Sequence, residues 1–155
     1  MIFTSITSDA FEEKNISKDI HEMNKQIGAL LSNAPPSHEI PFDILQEIRR
    51  NGGGLLPSQP NSDRAENKIV EYESRSVTIR VFNFEKPDFI YCHLHGGGHC
   101  IGAADMQDQS LEKMSKDLNC VVVSVEYRLA PINPYPAAPD DCETAALWII
   151  ENAKK

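Results

Sequence analysis

The residues with the clearest chemical potential are His95-Gly96-Gly97-Gly98. They directly follow a short apolar run, Phe89-Ile90-Tyr91-Cys92-His93-Leu94, and shortly precede an amphipathic stretch. Three consecutive glycines let the backbone take positive φ and let another molecule approach with no Cβ in the way. They also leave several N–H groups free to converge on one point. Converging donors stabilise the negative charge that develops on a carbonyl oxygen under nucleophilic attack. Acyl transfer is therefore the chemistry this segment suits. A second triplet, Gly52-Gly53-Gly54, has no strand before it and reads as a linker.

A metal site is the competing reading, because His93, His95, His99 and Cys100 lie close together and are ligand types. His93 and His95 would share one side of a strand. Three glycines intervene before His99, however, and no second cluster completes a closed site. The four cysteines, Cys92, Cys100, Cys120 and Cys142, form no C-x-x-C pair. Neither a metal nor a cofactor is expected.

The elements that would position the glycine loop can be read from periodicity. Phe11, Ile16, Ile20, Met23, Ile27, Leu30 and Leu31 form a helical stripe that Pro35-Pro36 stops. Ile40, Ile44, Leu45 and Ile48 mark a second short helix ending at Asn51-Gly52. Residues 56–67 read as a loop. Ile69 to Ser74 and Val77 to Phe84 alternate as two strands with a turn near Ser74-Arg75-Ser76. Phe89 to Leu94 is a buried strand, and Ala104 to Leu118 an amphipathic helix that Asp105 could cap. Cys120 to Val125 suits a central parallel strand covered on both faces. A proline-rich loop follows, and a helix runs from Asp140. Strands separated by helices favour an α/β class with a mostly parallel sheet and flanking helices.

The segment His95-Gly96-Gly97-Gly98-His99-Cys100-Ile101-Gly102 resembles the signature of the hormone-sensitive-lipase family of α/β-hydrolase esterases. Val121 to Pro131, with Glu126-Tyr127-Arg128-Leu129-Ala130-Pro131, and Pro134-Tyr135-Pro136-Ala137-Ala138 ahead of Asp140-Asp141 resemble the same family's second motif. The resemblance implies a carboxylic-ester hydrolase with no cofactor, acting on a small-molecule ester. It implies that Gly97 and Gly98 donate oxyanion N–H groups, that His95 and Gly96 support the loop, and that His99 lines the substrate pocket. It also implies a helical cap segment and linker over residues 1–67 and the N-terminal half of the hydrolase core over 68–155. Arg128 reads as a brace pairing with Asp140, Asp141 or Glu126.

An esterase of this fold needs a nucleophilic serine in a G-x-S-x-G elbow, followed by an acid and a histidine. No serine here has glycine two residues before and two after, and Ser124 sits among valines inside a strand. The chain is thus expected to supply the oxyanion hole of an esterase without its Ser-Asp-His triad. Alone it is expected to be inactive and marginally folded, with its central strand left as an apolar edge prone to self-association. A truncated gene product, a fragment of a longer chain or half of a split enzyme would each fit. A non-catalytic ligand-binding relative of the fold is the alternative. The remaining bulk properties exclude other classes. The 155 residues are 41% apolar and 25% charged, as for a globular domain, and carry a net charge of −8. That charge disfavours nucleic acid and anionic membrane surfaces. No signal-peptide pattern or membrane-spanning run is visible, so a cytoplasmic setting with reduced thiols is the default.

Overall fold

The structure, a computed structural model, describes residues 12–52, 59–83 and 85–153. Expectations for Phe11, the extreme N-terminus, Gly53-Gly54, residues 56–58 and Phe84 fall outside them. The chain divides into two compact units between Pro41 and Phe42.

The first unit holds helix α1, Lys18–Ser32. Ser17 caps it, accepting the Ile20 N–H at 3.4 Å, and Asp19 sits in the first turn where the helix dipole favours an anion. Of its apolar residues, Ile20, Met23, Leu30 and Leu31 stay exposed.

The second unit opens with α2, Phe42–Arg50. Four strands follow: β1 Ala65–Tyr72, β2 Arg75–Phe82, β3 Phe89–Leu94 and β4 Cys120–Glu126. Helix α3, Asp108–Leu118, links β3 to β4, and α4, Ala137–Asn152, follows β4. The sheet order is β1-β2-β4-β3. β2 runs antiparallel to both β1 and β4, while β3 and β4 are parallel, so the parallel character lies in the β3–α3–β4 unit.

β4 is covered on both faces, as its run of valines requires. Val123 and Val125 pack with Ile79, Val81 and the α4 residues Ala138 and Ala145. Cys120 and Val122 pack on the other side with Phe82 and Leu111 of α3. Each fully buried valine contributes roughly 1.5–3 kcal/mol. The sheet edges are β1 and β3, and β4 is interior, a correction to the sequence reading. β4 takes the interior place because β2 pairs with it from Thr78↔Glu126 to Phe82↔Val122. Phe89, Tyr91 and Leu94 of β3 remain exposed.

Four boundaries differ from expectation. β1 begins at Ala65, because its polar residues Glu66, Asn67 and Lys68 pair with β2 while facing solvent. The turn between β1 and β2 is Glu73-Ser74, with Glu73 at φ 52°. Helix α3 starts at Asp108, so Asp105 does not cap it: the N-cap residue is Gln107, whose side chain makes no capping bond. Helix α4 starts at Ala137 despite Pro139, which sits in the first turn where an N–H has no helical partner to lose.

Two charge clusters lock the layers. Asp108, wholly buried, accepts from Arg80 Nε at 2.7 Å, from Arg80 Nη2 and from the Ser62 N–H at 2.7 Å. Arg80 Nη1 also reaches Asn67 Oδ1 at 2.9 Å. This ties β2, α3 and the approach to β1 together, and the Asp108 bond holds the Arg80 guanidinium above its usual pKa. Asp141 on α4 accepts the Arg128 N–H at 2.8 Å and its Nη2 at 2.8 Å, with Nε shared between both oxygens. Arg128 is therefore the brace its setting suggested, and Asp141 is its partner.

Candidate active site

β3 delivers the chain to the glycine loop, and β4 lies beside it in parallel register up to Leu94↔Val125. Directly after β3 the His95 ring is buried and stacks on Tyr127, which leaves the end of β4: the ring centroids are 4.0 Å apart and the planes differ by 10°. The Tyr127 hydroxyl donates to the His95 carbonyl at 2.5 Å. His95 Nδ1 lies 3.0 Å from the Gly96 carbonyl. A carbonyl only accepts, so Nδ1 carries the proton there and Nε2 is left as an acceptor. That Nε2 is buried and without a hydrogen-bond partner among the described residues.

The glycines are needed for two different reasons. Gly97 has φ +134°, and a Cβ there would lie 1.8 Å from the Ile101 carbonyl oxygen. The tightness comes from a return turn in which the Cys100 and Ile101 N–H groups both donate to the Gly97 carbonyl at 3.1 Å. Gly98 has φ +61° but open space around a Cβ. Gly102, φ +103°, closes the loop against the Gly96 carbonyl and the His95 ring, 2.5 and 2.6 Å from where its Cβ would be. Among the described residues, neither the Gly97 nor the Gly98 N–H donates a hydrogen bond.

Further contacts hold the loop from outside. The His99 carbonyl accepts the Ala130 N–H at 2.9 Å, tying the loop to the proline-rich segment. The Ala104 N–H donates to Glu126 Oε2 at 2.6 Å. From α2, Gln46 Nε2 donates to the Cys100 carbonyl at 3.3 Å. Gly102, Tyr127 and Gln46 were not singled out from sequence, and Glu126, a candidate partner for Arg128, instead accepts the Ala104 N–H. Gly102 and Tyr127 stand inside the two motif blocks, which was the available signal.

Beside the loop is a cavity of about 490 Å³. Its wall includes His95, Gly96, Gly97, Asp105 and, from the last turn of α2, Arg49 and Arg50. Gly98 and His99 do not line it. His99, at φ 59° and tilted against Tyr127 at 5.8 Å, borders a separate pocket of about 160 Å³ with Tyr135 and Asn133.

His93 and Ser124 imitate a catalytic pair but cannot act as one in this arrangement. Their Nδ1 and Oγ are 2.9 Å apart. The Ser124 hydroxyl donates its single proton to the Ala104 carbonyl at 3.0 Å, so His93 must be the donor to Ser124. A donor imidazole does not activate a hydroxyl, and Ser124 is fully buried. Burial, followed by the nearby His95, holds the His93 pKa below the ordinary imidazole value, against a smaller opposing hydrogen bond with Gln107. Among the described residues no three His, Cys, Asp or Glu side chains are grouped as metal ligands, since His93 bonds Ser124 and His95 stacks on Tyr127. The four cysteines are free thiols, and no helix among the described residues is long and apolar enough to cross a membrane.

Comparison with known proteins places this geometry. Residues 91–155 match a family described as alpha/beta hydrolase fold. An arylesterase of Saccharolobus solfataricus is 33% identical over 70% of this chain and 37% of its own length. Carboxylesterase NlhH of Mycobacterium tuberculosis is 36% identical over 58% of this chain and 30% of its own. Among solved structures, an esterase/lipase from an uncultured bacterium superposes with a TM-score of 0.66 at 20% identity, over 90% of this chain and 45% of that one. An arylesterase structure gives 0.65 at 23% identity, over 90% and 44%. This chain spans less than half the length of these relatives. Its fold is that of the α/β hydrolases, and the relatives it resembles are esterases.

Proposed function

We propose that this chain supplies the oxyanion hole of a carboxylic-ester hydrolase, with Gly97 and Gly98 as the donors. The carrying observation is that neither N–H group has a partner among the described residues, in a loop whose shape only glycine permits at Gly97. Nucleophilic attack on an ester carbonyl moves an electron pair onto its oxygen. Two N–H groups fixed in advance meet that charge with little reorganisation. His95 and Gly96 set the loop's course: the imidazole bonds the Gly96 carbonyl and stacks on Tyr127. His99 lies where it would shape a neighbouring part of the substrate pocket.

The nucleophile is not among these 155 residues. Ser124, the serine with a histidine neighbour, is sealed in the sheet, and no serine stands in a G-x-S-x-G elbow. The attacking serine and its base therefore come from other residues, and the chain by itself turns over no ester. A ligand-binding relative without chemistry would keep the same cavity; the esterase reading is favoured by the unpartnered donors and by the esterases among the relatives.

The test uses the amide resonances of the glycine loop. Titrating the labelled chain with a methylphosphonate monoester, whose anionic oxygen stands in for the tetrahedral oxyanion, should move the Gly97 and Gly98 amide protons downfield more than any others. The chain alone should hydrolyse p-nitrophenyl butyrate at background rate. Adding a polypeptide that supplies the serine elbow, acid and histidine should restore turnover, which Gly97→Ala should then lower by about 10²–10³. Unmoved glycine amides, or turnover by the chain alone, overturn the proposal.

A further inference from the structure

The cavity wall carries two cations that the oxyanion role does not use. Arg49 and Arg50 occupy the last turn of α2 and line the same cavity as Gly96 and Gly97. α2 is fixed against the loop by the Gln46 bond to the Cys100 carbonyl, so the arginines have a defined relation to the glycines. Neither arginine has an ion-pair partner among the described residues, although the chain is acidic overall. Favouring the helix dipole accounts for basic residues in a last turn. It does not require both of them to border a cavity.

The other charge on that wall is Asp105, which accepts from Asn61 Nδ2 at 3.4 Å and also feels Arg80. Asp105 and Arg50 also share the lining of a second pocket, with Glu126. Of the two oxyanion donors, Gly97 shares the larger cavity with both arginines, while Gly98 lies outside its lining. A volume near 490 Å³ accommodates a ligand reaching Gly97 and the arginines.

We propose that Arg49 and Arg50 are specificity-determining residues that bind a carboxylate on the substrate, so that the site selects esters bearing a second, anionic end. The proposal rests on reading the glycine loop as the oxyanion site. Guanidinium–carboxylate pairing is charge-assisted and can be bidentate, which fixes distance as well as charge. A dicarboxylic half-ester whose free carboxylate reaches α2 would hold its ester carbonyl at the glycines.

The experiment compares monomethyl adipate with methyl hexanoate, of matched length, by titrating the labelled chain and following the Gly97 and Gly98 amides. The half-ester should bind about tenfold more tightly, the scale of one charge-assisted hydrogen bond. That advantage should shrink as salt is raised. Arg49→Gln with Arg50→Gln should make the two ligands equal, while Arg49→Lys with Arg50→Lys should retain most of the difference. Asp105→Asn should widen it. Equal affinity of both ligands for the unaltered chain, with glycine amides still responding, overturns the arginine proposal and leaves the oxyanion reading standing. A half-ester advantage that survives the double glutamine change also overturns it. If neither ligand moves the glycine amides, the oxyanion reading itself fails.

Discussion

Gly97 and Gly98 are neighbours of identical type, yet the same substitution should act on them very differently. An alanine at 98 keeps its N–H and meets nothing within 4 Å; its cost is the left-handed backbone at φ +61°. That cost is about 1–2 kcal/mol, partly offset by roughly 0.4–1 kcal/mol from a stiffer unfolded chain. The net change should stay near 1 kcal/mol. An alanine at 97 places its Cβ 1.8 Å from the Ile101 oxygen and 2.6 Å from the Ile101 carbonyl carbon, both backbone atoms. Real contacts do not fall under 3.0 Å, so the turn must open by more than an ångström. Opening it strains the two N–H bonds from Cys100 and Ile101 to the Gly97 carbonyl. A loss of about 2–4 kcal/mol follows from a disrupted turn with displaced donors. Urea unfolding followed by circular dichroism measures both variants, and amide chemical shifts report whether residues 96–102 have moved. Two equal effects, or unchanged shifts at residues 100 and 101 in Gly97→Ala, would refute the reasoning.

Asp108→Ala should lower stability by about 3–5 kcal/mol, because it leaves Arg80 uncompensated in the interior; a urea midpoint close to the parent's would show that the pair is replaceable by solvent. Ser124→Ala should cost roughly 1–3 kcal/mol through its buried hydrogen bonds but leave ester turnover of the completed enzyme within a fewfold; loss of all turnover in a folded variant would make Ser124 the nucleophile. His93 is held neutral by burial, so its folded pKa lies below the unfolded value of 6.5. The stability this contributes is complete above that value and is lost as pH falls toward the folded pKa. Urea midpoints should therefore decline on acidification below about 6.5, and His93→Gln should flatten that limb; an unchanged slope would assign it to other groups.

Much of the site was legible because the signal was local. A glycine triplet between an apolar run and an amphipathic stretch declares a backbone-built site, and a valine run declares a covered strand. Arg128 could be read as a brace, with Asp141 among three candidate partners, because the two lie a short loop apart. What stayed hidden was long-range or conformational. Nothing in the sequence aligns Arg80 with Asp108 or Gln46 with Cys100, which meet only once the layers have packed. The early start of β1 was masked by polar residues on an outer strand, where pairing with β2 rather than alternation sets the length. Glu73 at φ 52° conceals its turn because glutamate rarely adopts that geometry. The edge position of β3 depends on the order of strands in space, which composition does not encode.

Tyr127 and Ala130 belong to the segment leaving β4, and each donates to a carbonyl of the glycine loop, at His95 and His99. The two bonds bracket all three glycines. A sequence that by composition should wander is thereby held at both ends by a strand exit, and its backbone entropy is surrendered during folding rather than at each encounter with substrate. Drift in the segment from residue 127 to 131 would then retune the loop with no change in the loop's own residues. The reactivity of such a site could change through substitutions outside the loop that forms it.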